Sequence, residues 1–466
     1  MSLAIQDKAA PAAATPAAPV LNQRTQRLLT APIVPMLLRM AWPNMLIMLA
    51  QASTGLIETW WVSHLGTDAL AGMALVFPPV MLMGMISGGA MGGGISSAIA
   101  RALGGGRRDD ADALVMHAIA INLALGLFFS GLMLGFGRPL YRALGGEGGA
   151  LAAALTYSNI VFSGNAMLWV MNGLASVIRG TGNMLVPALV ICAGVVLLVP
   201  LSPLLIFGFG PIPALGVAGG GTALLVYYTG GAAILAWYVL SGRNLVRFRW
   251  VRPQWPIFRD ILRIGAVASI SSLQTNVTIA LATALVAGVA GVDAVAGFGT
   301  GARLEYLLVP LAFGLGAPLV ALVGTNIGAG QRERALRIAL TGGAIAFALT
   351  ETLGVIAAIW PGAWLALFSA EPGTIETGSR YLRIVGPFYG FFGLGMALYF
   401  SSQGAGRLLW PLGSGFLRLI IAIGLGWLAL RLTGSLDWLF AALALGLTAY
   451  GVTLAVAVKS GVWFRD

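Results

Sequence analysis

Long, uninterrupted apolar runs separated by short polar segments dominate the pattern of this chain. About twelve of the runs reach the roughly 20 residues that a helix needs to cross a bilayer core. Their apolar positions are continuous rather than alternating, which favours helices over the strands of a membrane barrel. The pattern therefore predicts an all-α membrane protein with twelve transmembrane helices. The predicted spans are 34–63, 73–100, 113–137, 151–178, 184–208, 214–241, 258–290, 294–327, 335–360, 376–402, 410–432 and 436–459.

The polar segments between the spans occur twice in the same order. Three motifs return at separations of 225, 224 and 224 residues. They are GTDALAG at 66–72 and GVDAVAG at 291–297, LGGGRRDDA at 103–111 and IGAGQRERA at 327–335, and RGTGNMLVP at 179–187 and QGAGRLLWP at 403–411. We interpret this as one duplicated unit of six helices. Because six is even, both copies share one orientation, and a pseudo-twofold axis along the membrane normal relates them.

The duplication divides the chain into four regions. Residues 31–242 are predicted to form an N-lobe of six helices, and residues 258–466 a C-lobe of six helices. Residues 243–257 are predicted to be a basic cytoplasmic linker. Residues 1–30 are rich in Ala and Pro and are predicted to be a disordered cytoplasmic tail. A cavity at the seam between two such lobes can open to either face, so the architecture suits alternating access.

Composition and charge place this chain in a membrane. Hydrophobic residues make up 58% of the chain and charged residues 9%, and the mean hydropathy is +0.89. The net charge is +11, but most of the 27 Lys and Arg residues fall in loops on the side of the N-terminus. This bias predicts that both termini are cytoplasmic and makes a nucleic-acid partner unnecessary. We expect a multi-pass integral protein of a bacterial inner (plasma) membrane.

The inventory of reactive residues argues against an enzyme. The only lysines are Lys8 and Lys459, so a GxxxxGK phosphate loop is absent. The only histidines are His64 and His117, and neither has the spacing of a metal site. We therefore assign no catalytic residue, no metal and no cofactor. Energy for any transport must come from an ion gradient or a partner.

Ionisable residues within the spans are costly and are functional candidates. Glu58 lies in the outer half of the first span. Asn44, Gln51 and Glu58 are spaced by seven residues, so they form one polar stripe on a helix, with Thr54 beside it. A carboxyl group on this stripe, facing the lobe interior, could exchange a proton for a cationic substrate. The alternative is a structural hydrogen bond at the outer mouth. We predict an ion-coupling site at Glu58, Gln51, Asn44 and Thr54.

Two further acids lie within the spans of the second half. Glu351 is near the middle of the ninth span, and Glu305 is in the eighth span, two residues after Arg303. Residues two apart do not face each other on a helix, so Arg303 and Glu305 are expected to find different partners. Arg418 is a possible counter-charge for either acid. Glu351 and Glu305 are second candidates for ion coupling, and buried ion pairs that only fix helix packing are the alternative.

Aromatic side chains near a carboxylate suit flat organic cations. Trp60 and Trp61 adjoin Glu58, and Tyr227 and Tyr228 lie in the sixth span. An interfacial aromatic belt is the alternative explanation for the two tryptophans. The predicted substrate-cavity residues are Trp60, Tyr157, Asn165, Trp169, Asn172 and Gln274.

The duplicated motifs together resemble one family of transporters. IETWWVSHLGTDALAG, ALGGGRRDDA, RGTGN followed by Pro187, and their copies in the second half look like the multidrug and toxic compound extrusion (MATE) transporters. The resemblance begins near Pro35 and implies two six-helix lobes that exchange organic cations and other amphipathic drugs for protons or sodium. The acidic residue of the family's first helix matches Glu58, which precedes Thr59.

Other ion-binding positions of the family are occupied differently in this chain. Leu198 and Ser202 stand where one branch of the family has an Asn and an Asp in the fifth helix. Asn276 stands near the position of a seventh-helix Glu of another branch, and Phe392 near that of its tenth-helix Asp. Asn276 is therefore retained as a further second candidate. Neither branch's complete ion site is present.

We interpret the chain as a secondary active multidrug efflux transporter, a monomer that exports organic cations and other amphipathic compounds from a lipid membrane. Proton coupling through Glu58 is favoured, because one isolated carboxyl group can bind a proton, whereas sodium requires several converging oxygen ligands. Sodium-coupled antiport is the first alternative. A flippase for lipid-linked sugars and a membrane scaffold or receptor that does not transport are the others.

Overall fold

The structure is a computed structural model that describes residues 21–464. Its helices reproduce the predicted spans, usually to within a few residues. The order is α1 (Gln23–Thr30), α2 (Ile33–Ser63), α3 (Thr67–Gly104), α4 (Arg108–Ala143), α5 (Gly148–Ser163 and Asn165–Gly180), α6 (Leu185–Phe207), α7 (Val217–Leu240), α8 (Trp255–Val289), α9 (Val292–Gly328), α10 (Arg332–Ile359), α11 (Pro372–Ala405), α12 (Leu409–Thr433) and α13 (Leu436–Lys459). Helices α2 to α13 are long and apolar enough to give twelve spans, α5 counting as one bent span. The predicted fold class is confirmed.

Several spans are interrupted in ways that the apolar pattern does not reveal. The two halves of α5 meet at Gly164 with a bend of 46°. Helix α9 is broken at Arg303 and Leu304, so Glu305 begins a new helical segment. Helix α11 contains a 3-10 turn at Gly386–Phe388. Such breaks expose backbone groups within the spans, where side chains can bind them.

The first helix corrects the prediction of a disordered tail. Residues 1–20 lie outside the described part of the chain, but Gln23–Thr30 form α1. Asn22 caps this helix, because its side chain accepts a hydrogen bond of 3.0 Å from Arg24 N. Leu28 is 3% exposed and its carbonyl accepts a hydrogen bond from Asn326 of the second half. The apolar residues before Ala31 therefore anchor the segment to the folded protein.

The segment between the two halves is shorter than predicted and is tied to the first half. Helix α7 ends at Leu240 and α8 begins at Trp255, so the last residues of the predicted linker 243–257 are helical. Asp112 accepts a hydrogen bond of 2.8 Å from Arg247 N, and His117 Nε2 accepts one of 2.9 Å from Gln254 N. His117 thus has a structural role in holding the linker.

The two halves pack through a symmetric contact between α3 and α9. A Cβ atom on Gly104 would collide with the carbonyl oxygen of Thr325, and one on Gly328 would collide with the carbonyl oxygen of Arg101. Each pair is related to the other by the 224-residue separation of the repeat. The pseudo-twofold axis therefore passes between α3 and α9. In each half the next loop turns at a glycine with positive φ, Gly106 at 72° and Gly330 at 74°.

We call the end of the molecule that carries these two loops, α1 and the linker the basic end. The polar bonds between the halves extend from this end to about the middle of the molecule. Arg101 forms an ion pair of 2.7 Å with Asp260 and donates to Gly404 O at 3.2 Å. Gln403 Nε2 donates to Gly89 O at 3.4 Å. Within residues 21–464, none of the recorded hydrogen bonds or ion pairs joins the halves near the opposite end, so the structure is closed at the basic end.

Candidate functional site

Glu58 lies in an enclosed pocket of the first lobe, away from the basic end. Its side chain belongs to α2 and is 1% exposed. Helix α7 approaches it at Gly220, where an added Cβ atom would lie 2.8 Å from Glu58 Oε2 and 3.6 Å from a methyl group of Val62. Gly220 lies in the run Gly219–Gly221, which lets α7 approach the carboxyl group closely. Glu58 is thus inside the lobe, as the polar stripe predicted.

The polar neighbours of this carboxyl group are hydroxyl groups. Ser202 of α6 lies beside it, and Tyr157 of α5 and Tyr228 of α7 are close enough to interact electrostatically with it. In the part of the chain that the structure describes, neither carboxyl oxygen and not the Ser202 hydroxyl makes a hydrogen bond of standard geometry. The pocket therefore places an unpaired acceptor next to an unpaired donor.

Cations are missing from the surroundings of Glu58. The five ion pairs recorded for residues 21–464 involve other acids. The same residues contain no group of three or more His, Cys, Asp or Glu side chains that could hold a metal ion. An ionised carboxylate without a partner is costly to bury, by several kcal/mol. The described pocket suits the neutral carboxyl group.

The other members of the predicted coupling site do not join Glu58. With a rise of 1.5 Å per residue, Gln51 and Asn44 lie about 10 and 20 Å from it along the axis of α2. Thr54 Oγ1 donates to Ala50 O at 3.1 Å within the same helix. The expectation that Asn44 and Gln51 could ligate one ion together with Glu58 is therefore wrong, because a heptad stripe aligns residues on a face but separates them along it.

Asn44 instead connects the two lobes. Its Nδ2 donates to Phe313 O at 2.9 Å and to Gly314 O at 3.1 Å, both in α9. Pro318 lies four residues after Gly314 and has no N–H to bind that carbonyl group. Asn44 supplies the donor that the proline withholds. No sequence pattern indicates this contact, because the acceptor is a backbone atom 270 residues away.

The acids of the second lobe occupy different surroundings from Glu58. Glu305 Oε1 accepts a hydrogen bond of 3.2 Å from the Tyr381 hydroxyl group, and Arg418 interacts with Glu305 electrostatically, as the sequence suggested. Glu351 Oε2 accepts a hydrogen bond of 2.7 Å from Gly390 N and thereby caps the helix that follows the break in α11. Asn276 is exposed, and its Nδ2 donates to Ser272 O in its own helix.

The repeat relates the two acid sites only in part. Tyr157 beside Glu58 and Tyr381 beside Glu305 occupy equivalent positions, 224 residues apart. The position equivalent to Glu58 is Ala282, which is 2% exposed. The second lobe thus keeps the tyrosine but takes its acid from a different helix. The lobes share a fold and differ in the chemistry of their interiors.

The predicted substrate-cavity residues are not brought together. Trp60 is 57% exposed and packs edge-on against Trp61 at 4.3 Å, which fits the alternative of an aromatic belt better than a cavity lining. Trp169 is fully buried against Phe129. Three amides are buried: Asn165 donates to Gly126 O at 3.3 Å, Asn172 to Ser87 Oγ at 2.8 Å, and Gln274 lies against Gly415 in the second lobe. Of the six, only Tyr157 lies beside Glu58.

Sequence reasoning on single residues missed two neighbours of Glu58. Gly220 and Tyr228 belong to α7 and were not among the predicted site residues. The run of three glycines at 219–221, followed one helical repeat later by a tyrosine pair, was the available signal. Ser202 was indicated by the position it takes in the family resemblance.

Comparison with known proteins identifies the family. The sequence profile of the MatE family matches residues 43–204 and 268–428, one match in each half. The chain belongs to the MatE family. The resemblance seen in the motifs is therefore confirmed, and the family is one of transporters rather than enzymes.

Relatives of known name and structure agree with this membership. The chain is 28% identical over 374 residues to a protein of Shewanella oneidensis named FAD transporter, covering 79% of this chain and 81% of the relative. It is 27% identical over 380 residues to a probable multidrug resistance protein NorM of Thermotoga maritima, covering 79% and 80%. A crystal structure of a MATE protein in the bent conformation superposes with a TM-score of 0.87 at 24% identity, covering 95% of this chain and 98% of that one.

Proposed function

We propose that this protein exports organic cations and other amphipathic compounds by antiport against protons. Membership of the MatE family and the several relatives named multidrug resistance proteins support export of drugs. The observation that carries the proposal is the pocket of Glu58, an acid buried in the membrane-spanning part of a lobe without a cation.

The chemistry of this pocket favours a proton over sodium. A single carboxyl group is sufficient to bind a proton, and the described surroundings accommodate its neutral form. Sodium would require several oxygen atoms directed at one point, but the other polar atoms are one serine and two tyrosine hydroxyl groups. Loss of the proton creates a buried negative charge that a cationic substrate or entering water must stabilise. Substrate and proton therefore compete for the same pocket.

Flux measurements on reconstituted protein test this coupling. A fluorescent organic cation is loaded into proteoliposomes, and proton and sodium gradients are imposed separately. We expect a proton gradient to drive transport, and Glu58→Gln to abolish both transport and substrate-driven proton release. Glu351→Gln is the matched control, because its amide oxygen can still accept the hydrogen bond from Gly390 N. Transport by Glu58→Gln at the wild-type rate, with the same pH dependence, would reject the proposal.

A flavin nucleotide is a second candidate substrate. The Shewanella oneidensis relative is named a FAD transporter and matches most of this chain. Such a substrate is anionic, and Arg303 and Arg418 are the arginines closest to mid-membrane in the predicted spans of the second half. Within the described residues neither makes an ion pair shorter than 4 Å. The same vesicles loaded with FAD decide the matter, because efflux of FAD and not of the cation would favour this candidate.

We also propose that the basic end faces the cytoplasm of a bacterial inner membrane and that one chain is the working unit. The bias of Lys and Arg toward this end supports the orientation. The described conformation, closed at the basic end, is then outward-facing. A thiol introduced at Glu333, whose side chain is 89% exposed, should react with an impermeant reagent only after the cells are opened. Cys192 is replaced by Ser in that variant.

A further inference from the structure

A cationic cavity lies at the basic end, on the side of the molecule away from Glu58. It has a volume of about 470 Å³ and is lined by Ile33 of α2 and by three arginines of α10, namely Arg332, Arg334 and Arg337. Helix α2 belongs to the first lobe and α10 to the second. The cavity therefore lies across the boundary between the lobes, at the end where they are closed.

The arginines of this cavity are only partly neutralised. Glu333 contacts Arg337 at 3.6 Å, but both side chains are largely exposed, so the pair is weak. Arg334 donates from Nη2 to the carbonyl group of Ala31, and its Nε is buried without a partner among the described residues. Arg332 lies over the ring of Phe464 at 5.1 Å. The free N–H groups at the start of α10 add to the positive potential.

The first half of the repeat shows what the second half lacks. There the equivalent loop carries acids, and the linker binds to them, with Arg249 3.3 Å from Asp109. At a separation of 224 residues, Asp110 is replaced by Arg334 and Ala113 by Arg337. The second copy thus exchanges an acid-bearing surface that binds a basic segment of the chain for a basic cavity. An anion from outside the chain fits such a cavity.

The surface next to the cavity is apolar. On α2, Val34 and Leu38 follow Ile33 and are 43% and 47% exposed. On α10, Leu340 is 36% exposed and lies three residues beyond Arg337, on the same face of the helix. A cationic cavity at the membrane surface that adjoins exposed apolar helix faces matches a phospholipid, whose headgroup and acyl chains require both.

We propose that this cavity binds the phosphate-bearing headgroup of an anionic phospholipid of the same leaflet. The phosphate contacts the guanidinium groups of Arg332 and Arg337, and the acyl chains lie along the apolar faces of α2 and α10. Because these helices belong to different lobes, the bound lipid bridges the lobes and stabilises the state that is closed at the basic end. This site is independent of Glu58 and of the coupling ion.

Native mass spectrometry of the full chain in detergent tests the site. Phosphatidylglycerol and phosphatidylcholine are titrated separately against wild type, the double variant Arg332→Gln with Arg337→Gln, and Arg337→Gln alone. The matched control is Arg107→Gln with Arg252→Gln, which removes two exposed arginines of the same end outside the cavity. We expect the cavity variants to bind phosphatidylglycerol about tenfold more weakly than the control, and phosphatidylcholine equally.

The single variant keeps the test decisive if the double variant fails to fold, because the Arg337 side chain is 73% exposed and does not support a packed core. Equal retention of phosphatidylglycerol by the cavity variants and the control would overturn the proposal. Inorganic phosphate and glycerol phosphate are added as competitors at matched concentration. Displacement of the lipid by either of them at the same concentration would also overturn it, since the site would then select a free phosphate.

Discussion

At the scale of single residues, the close approach of Gly220 to Glu58 can be tested against a glycine of the same helix. Gly220→Ala places a methyl group 2.8 Å from Glu58 Oε2, whereas an added Cβ at Gly230 meets nothing within 4 Å. Overpacking of this kind costs about 1–3 kcal/mol, while Gly→Ala in an open helical position stabilises by about 0.5–1 kcal/mol. We expect Gly220→Ala to lower the apparent melting temperature and to slow transport, and Gly230→Ala to do neither.

A double variant separates contact with Glu58 from general crowding. Glu58→Ala removes the carboxyl group that the new methyl group would strike. The added cost of Gly220→Ala in that background should fall to a small fraction of its cost in wild type, as measured by thermal unfolding in detergent. An unchanged cost would show that the methyl group collides with Tyr157, whose ring lies 3.5 Å from the same Cβ position.

How far a residue can be assigned from sequence depends on the kind of partner it has. The burial of Glu58 followed from a polar stripe on an apolar helix, because period alone places a side chain on a face. The stripe could not give the partners of Asn44, whose acceptors are carbonyl groups of α9, or of Glu351, which caps a helix after an unpredicted break. Contacts to backbone atoms in another part of the chain leave no pattern in the sequence.

At the scale of helices, the bond between Asn44 and Gly314 should depend on Pro318. Asn44→Ala leaves the Gly314 carbonyl group without a donor in the membrane-spanning part of the protein, at a cost of about 1–3 kcal/mol. Pro318→Ala restores the N–H that can bind this carbonyl group within α9. We therefore expect Asn44→Ala to destabilise the protein in thermal unfolding, and to do so markedly less in the Pro318→Ala background.

Thr54→Ala is a suitable control for this pair, because Thr54 Oγ1 bonds only within α2. Its effect should be equal in both backgrounds. If Asn44→Ala is equally costly with and without Pro318, the compensation between the two helices is wrong and Asn44 acts through its second acceptor, Phe313 O.

The extent of each helix was more predictable than its interior. Runs of apolar residues longer than a bilayer core define a span, and short polar segments must leave the membrane, so the spans could be located to within a few residues. The break of α9 at Arg303 and Leu304 has no proline or glycine at the break itself to mark it. Helix α1 was missed because its eight residues carry too little apolar length to be separated from a tail.

At the scale of the whole molecule, the duplicated contact between α3 and α9 predicts that two distant substitutions have the same effect. Gly104 and Gly328 each lie against a carbonyl oxygen of the other lobe, and the repeat relates the two contacts. A methyl group at either position must push the lobes apart at the basic end, because the backbone that it strikes cannot rotate away. Gly104→Ala and Gly328→Ala should therefore both favour the state open at this end.

Spin labels at Arg107 and Glu333, in a background where Ser replaces Cys192, report the separation of the lobes at the basic end. Both side chains are more than half exposed, so labelling should not disturb the contact. We expect both glycine variants to shift the distance distribution toward longer values by a similar amount. Gly131→Ala, in α4 where an added Cβ atom meets nothing within 4 Å, should leave it unchanged. A shift in only one of the two variants would mean that the repeats, although equal in fold, do not share the closing of the basic end equally.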